Sequence, residues 1–204
     1  MLRDYARQHL ISSATLQTRV AEECVESILG AAEIVADCFH RSGKVMICGN
    51  GGSAADAQHV AAEFVNRLNS DLDRPALPAI ALTTDTSFIT AYANDAGFDG
   101  IFERQILALG RPGDVLIAIS TSGNSPNVIR AVLAARQQQV VSVGLLGEGG
   151  QLTGLVNHAV TVPSRDTQHV QEALLGIEHT ICAIVEQVLF GANPSGIVAP
   201  DPPP

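Results

Sequence analysis

Apolar residues recur at three- and four-residue steps through the first forty positions of the chain. Val25, Ile28, Leu29, Ala32, Val35 and Phe39 form one stripe, with Glu22, Glu23, Glu26 and Glu33 mostly off it. This period predicts helix over 3–40, slightly weakened by Gly30 and ended by Gly43. Leu10, Leu16 and Val20 carry the stripe upstream, further than covering a sheet requires. Residues 1–43 are therefore expected to form a helical arm that packs against another subunit, with an intramolecular helix hairpin as the alternative.

From Lys44 the pattern changes to short apolar runs separated by helical stretches. The runs Val45–Cys48, Ala79–Leu82, Val115–Ile119, Val140–Leu145 and His158–Val162 read as strands, with helices around 53–67, 85–93, 100–109 and 125–137. Strands that alternate with helices imply an α/β fold with a parallel sheet and right-handed crossovers. Residues 69–78, with Asp71, Asp73 and two prolines, read as a surface connection. A last helix is expected over 168–190, with Ile177, Ile181, Ile184, Val185, Val188 and Leu189 as its apolar content. The expected layout is an α/β core over 44–190 and a disordered Pro-rich tail over 191–204.

Composition narrows the partners. The 204 residues carry a net charge of −9 and no basic block, which disfavours nucleic acid and anionic membrane surfaces. No secretion signal and no apolar run near 18 residues is evident, so a cytoplasmic protein outside the membrane is expected. The four cysteines are far apart, without metal-finger spacing, and read as buried reduced thiols. An acidic chain that binds an anionic metabolite must do so locally, through backbone N–H groups and hydroxyls.

Two loops are suited to that task. After the first strand, Gly49-Asn50-Gly51-Gly52-Ser53-Ala54 opens a helix, so N–H groups and the positive helix end face whatever lies above the turn. The same residues fit the dinucleotide pattern GxGxxA, but that reading needs an acidic residue at the end of the second strand to hold the ribose. That strand ends Leu82-Thr83-Thr84, and Asp85 comes about ten residues too late. With no GK[ST] triphosphate loop either, no nucleotide cofactor is expected. The second loop, Ser120-Thr121-Ser122-Gly123-Asn124-Ser125-Pro126, has four hydroxyls in six residues between a strand and a helix. One serine there would be a helix cap; four point to a phosphate. On the helix after the first loop, His59 and Glu63 stand at i, i+4, where they can pair or share one metal ion.

These loops, with AYANDAGF, GDVLIAISTSGNSPNVIRA and VPSRDTQHVQE, resemble the sugar isomerase (SIS) domain proteins, and among them the phosphoheptose isomerase family. The resemblance runs from about residue 10 to 190. It implies a three-layer, flavodoxin-like sandwich on a five-stranded parallel sheet, and a homotetramer with active sites at subunit interfaces. It also implies conversion of sedoheptulose 7-phosphate to D-glycero-D-manno-heptose 7-phosphate, the first step towards nucleotide-activated heptose. Such an aldose–ketose exchange passes through an enediol and needs one group to take a carbon-bound proton and another to serve the oxygen. The resemblance gives these roles to Glu63 and His179, and substrate contacts to Asn50, Gly51, Gly52, Ser53, Asn94, Asp95, Ser120, Thr121, Ser122, Ser125 and Gln171.

Several members of the family bind zinc through residues matching His59, Glu63, Gln171 and His179. Gln171 and His179 are eight apart, about 12 Å in rise and roughly 80° around a straight helix, so both reach one ion only by leaning together. The chain departs from the family at Gln168, where many members have Asp, and at Leu174, where the usual residue is His. An alternative is a non-catalytic SIS protein that binds the bacterial replication initiator and regulates chromosome replication. Such proteins generally lack the equivalents of Glu63 and His179, both present here.

Overall fold

The structure is a computed structural model and describes residues 1–191. The tail expected over 191–204 therefore lies, beyond Gly191, outside the described residues.

Five parallel strands form the sheet: β1 Val45–Cys48, β2 Ala79–Ala81, β3 Val115–Ser120, β4 Val141–Gly147 and β5 His158–Val162, in the order β2-β1-β3-β4-β5. This is the doubly wound, flavodoxin-like order. Successive strand residues face opposite sides, and both sides are covered. Val45, Ile47, Val115, Ile117 and Ile119 belong to one core, while Met46, Cys48, Leu116 and Ala118 belong to the other. Helices α1 Leu2–Glu23, α2 Val25–His40, α3 Gly52–Val65 and α7 Thr167–Phe190 supply the first core. Helices α4 Thr86–Ala96, α5 Ile101–Leu109 and α6 Pro126–Gln137 lie over the second. All four cysteines are buried and free. Burial pushes the Cys48 thiol up to about 12.

The single helix expected over 3–40 is two helices that meet at Cys24, whose backbone departs from helical values (φ −111°, ψ −4°). A straight helix of that length would run about 57 Å, beyond the reach of the core. The bend brings α2 along β5 and α7, and the Cys24 thiol donates to the Thr161 carbonyl (3.4 Å). Leu16 and Val20 are buried as α1 packs on α7 and α2, whereas Leu2, Tyr5 and Leu10 remain exposed. Among the described residues, this first half of α1 thus offers an exposed apolar surface. Gly30 has a packing reason: a Cβ there would lie 2.7 Å from Cε1 of His158.

The connection over 69–78 is not simply a surface loop. The Arg74 side chain is fully buried and pairs with that of Glu186 of α7 (2.8 Å), which is 3% exposed. The Arg74 guanidinium also donates to the carbonyls of Glu63 (2.7 Å) and Phe64 (3.0 Å), which the end of α3 leaves without helical partners. The Glu186 carboxylate in turn accepts from the backbone N–H groups of Leu68 and Asn69. Leu77 is buried beside them.

Contrary to the expectation of no apolar span, α7 is long and apolar enough to cross a membrane by length and composition. Its Val170, Ala173, Leu174, Ile177, Ile181 and Val185 are buried in the first core. The length and apolarity of α7 thus have a core-packing explanation.

Candidate active site

In this strand order the chain leaves β1 towards one edge and later returns to β3 on its other side. A crevice therefore opens above the carboxyl ends of β1 and β3, the usual place for a ligand in such sheets. The two loops of interest flank it, because one follows β1 and the other follows β3.

Gly51 has φ +57°, a left-handed value natural to glycine, and caps α3 without any side-chain bond. Among the described residues the N–H groups of Gly52 and Ser53 make no hydrogen bond, whereas Ala54 donates to the Gly51 carbonyl (3.1 Å). Gly49 is required by close approach: a Cβ there would lie 2.6 Å from the Ser53 carbonyl oxygen. Asn50 exchanges two hydrogen bonds with Asn127 at the start of α6 (2.9 and 2.8 Å). Asn127 is 2% exposed and was not singled out from the sequence, where an Asn after Pro126 looks like an ordinary turn residue.

In the second loop Ser125 occupies the N-cap position of α6, yet its hydroxyl makes no cap bond. It meets the Ser120 hydroxyl instead (3.2 Å). Ser122 accepts from the Asn124 N–H (3.3 Å), and Asn124 accepts from the N–H of Gln151 (3.1 Å). A cavity of about 350 Å³ opens beside Thr121, Ser122, Asn124, Gly149, Arg165 and Thr167. Arg165, with Glu148 at 3.6 Å, contributes a cation to this wall.

Along α3 and α7 the titratable groups converge. His59 Nε2 lies 2.7 Å from His179 Nε2 and 3.6 Å from Glu63 Oε1. The i, i+4 pair on α3 thus meets the imidazole contributed by α7, and the Glu63 side chain is largely shielded from solvent. Gln171 is engaged one helical stretch earlier. Its Oε1 accepts from the Ser53 hydroxyl (3.1 Å), and its amide N–H donates to the Asp56 carboxylate. Burial, outweighing the Gln171 bond and nearby His59, raises the Asp56 pKa. Glu178 faces the core, and among the described residues its two oxygens are the buried side-chain polar atoms without a hydrogen-bond partner. Burial, then the charge of Asp56, pushes its carboxyl up to about 9.

Not every expected site residue gathers here. Asn94 and Asp95 are exposed on the last turn of α4, bonded to each other (2.9 Å), and α4 has no buried residue at all. Gln168 is exposed at the start of α7, whereas Leu174 fills a fully buried core position.

Residues 8–147 match the SIS domain family. A phosphoheptose isomerase of Solidesulfovibrio magneticus is 50% identical over 180 residues, covering 88% of this chain and 87% of the relative. This chain belongs to the phosphoheptose isomerase family of SIS-domain proteins. Solved phosphoheptose isomerases share its architecture. The one from Neisseria gonorrhoeae superposes with a TM-score of 0.86 at 40% identity, covering 92% of this chain and 100% of that one. The one from Francisella tularensis gives 0.87 at 36% identity, covering 92% and 99%. Membership in the phosphoheptose isomerase family disfavours the replication-initiator alternative.

Proposed function

We propose that this chain interconverts sedoheptulose 7-phosphate and D-glycero-D-manno-heptose 7-phosphate through an enediol, in the cytoplasm. The observation that carries the reading is the meeting of Glu63 and His179 around His59, beside two loops with free donors for a phosphate. The phosphate is held by N–H groups of Gly51–Ser53 and by the hydroxyls of Ser120, Thr121, Ser122 and Ser125. Glu63 moves the proton between the ketose carbons C1 and C2, while His179 exchanges the proton between their oxygens. Asn50 and Gln171 orient the sugar and the α3 side of the cleft.

Two imidazoles and a carboxylate within one cluster are also the donor chemistry of zinc, so the residues fit that ion. His59, Glu63 and His179 would hold it, with Gln171 joining if its amide turns from Asp56. Zinc there would polarise a substrate oxygen. The exposure of Asn94 and Asp95 on an α4 without buried residues supports a homotetramer whose active sites lie between subunits, where those side chains reach a neighbour's sugar. The exposed Leu2, Tyr5 and Leu10 of α1 support the same assembly.

The test is direct. Purified chain given sedoheptulose 7-phosphate should form the aldoheptose phosphate, and Glu63→Gln should abolish turnover while leaving sugar-phosphate binding largely intact. Absence of product with zinc supplied would end the proposal; normal turnover by Glu63→Gln would remove Glu63 from its role.

A further inference from the structure

A second set of chelating side chains meets away from the cleft, where α1 crosses the first turns of α7. His9 comes from α1; His169 and Glu172, at i, i+3, come from α7. His9 Nε2 lies 3.3 Å from Glu172 Oε1, and His169 Nδ1 lies 3.2 Å from Glu172 Oε2. The imidazole centroids are 4.4 Å apart, and one donor atom from each residue can be chosen so that all lie within 4.8 Å of one another. Ligands about 2.0–2.1 Å from a tetrahedral zinc stand roughly 3.3 Å from each other; each imidazole already lies at that distance from one Glu172 oxygen, and the donor set as a whole, within 4.8 Å, closes on one ion with a small side-chain shift.

We propose that His9, His169 and Glu172 form a divalent-metal site of the zinc class that ties the N-terminal helix to α7. Without metal, imidazole N–H groups bond to the carboxylate; on binding, the ion takes the place of those protons. Two neutral imidazoles and a carboxylate are a borderline-soft donor set, suited to zinc or cobalt rather than to calcium or magnesium. The surroundings steady Glu172: Gln17 donates to its backbone carbonyl (3.1 Å). A cavity of about 370 Å³, lined by Gln8, Ser12, Thr15, Arg19, Ser164 and His169, adjoins the cluster at His169. The site is separate from the cleft in its residues and does not depend on the isomerase reading. His169 and Glu172 face α1, whereas Gln171 faces α3.

The experiment is metal titration of the full chain after stripping with a chelator, using Co²⁺ absorption in the visible and Zn²⁺ competition to count sites. Wild-type protein should take up one equivalent more than either His9→Gln or Glu172→Gln. Zn²⁺ should raise the melting temperature of wild type by an increment that both variants lose. A His59→Ala/His179→Ala protein, lacking the cleft donors, should still bind one equivalent. Equal stoichiometry in wild type, His9→Gln and Glu172→Gln would overturn the proposal and leave the cluster as hydrogen bonds alone. Loss of all binding in the His59→Ala/His179→Ala protein would overturn it as well. His9 lies in the largely exposed half of α1, so its replacement by Gln keeps the helix and the core.

Discussion

Glu178 makes the stability of this protein depend on pH in a direction opposite to most carboxylates. It is 1% exposed, its oxygens have no partner among the described residues, and its pKa is pushed from the ordinary 4.5 up to about 9 by burial and then by Asp56. The folded chain therefore keeps a proton that the unfolded chain releases. The stability associated with that proton is complete below pH 4.5 and is lost as pH rises towards 9. Each pH unit in this window corresponds to about 1.4 kcal/mol, so between pH 5 and 7.5 the wild type should lose about 3 kcal/mol through this group. Glu178→Gln cannot titrate and should not show that loss. Urea unfolding of both proteins at a series of pH values and fixed protomer concentration measures the difference, in which all other titrations cancel. Relative to Glu178→Gln, the wild type should weaken steadily as pH rises. Parallel curves would refute the reasoning, because they would mean that the carboxylate is ionised and partnered in the folded protein.

Arg74→Met should destabilise the chain by roughly 3–5 kcal/mol, since it strands the buried Glu186 carboxylate, and it should also lower kcat by loosening the end of α3 that carries Glu63; urea unfolding and steady-state rates check both. Gly30→Ala should cost roughly 1–3 kcal/mol despite its better helix propensity, because its Cβ meets the His158 ring, and thermal melts should show recovery in Gly30→Ala/His158→Ala. Ser122→Ala should raise KM with little change in kcat if its hydroxyl holds phosphate away from the reacting carbons; a KM unchanged within error would assign that task to its neighbours.

The sheet was legible because its apolar runs are short and sharply bounded: β1 and β5 begin and end where the sequence reading put them, and the rest differ by a residue or two. The bend at Cys24 was not, since no Gly or Pro marks it and the apolar stripe runs on through it. In the sequence 69–78 reads as a surface connection, and Arg74 and Glu186 were not singled out, because each finds its partner more than a hundred residues away. The His59–Glu63 pair could be read from helical spacing, whereas its contact with His179 is a product of how α3 and α7 pack. Likewise the phosphate loops announced themselves by composition, but the tie between them did not. Side chains whose value comes from a distant partner leave no local pattern.

That tie has a consequence for how the cleft can change. In the amide exchange between Asn50 and Asn127, each side chain gives one hydrogen bond and takes one. An apolar residue at Asn127 leaves both a donor and an acceptor of Asn50 unanswered, and one at Asn50 strands the Asn127 amide N–H while its Oδ1 keeps only the Val128 N–H (3.0 Å). The turn after β1 and the start of α6 are thereby locked as one unit, and neither can be reshaped for a new sugar phosphate alone. Any redesign of substrate choice that moves one of these loops must redraw both sides of the amide pair together.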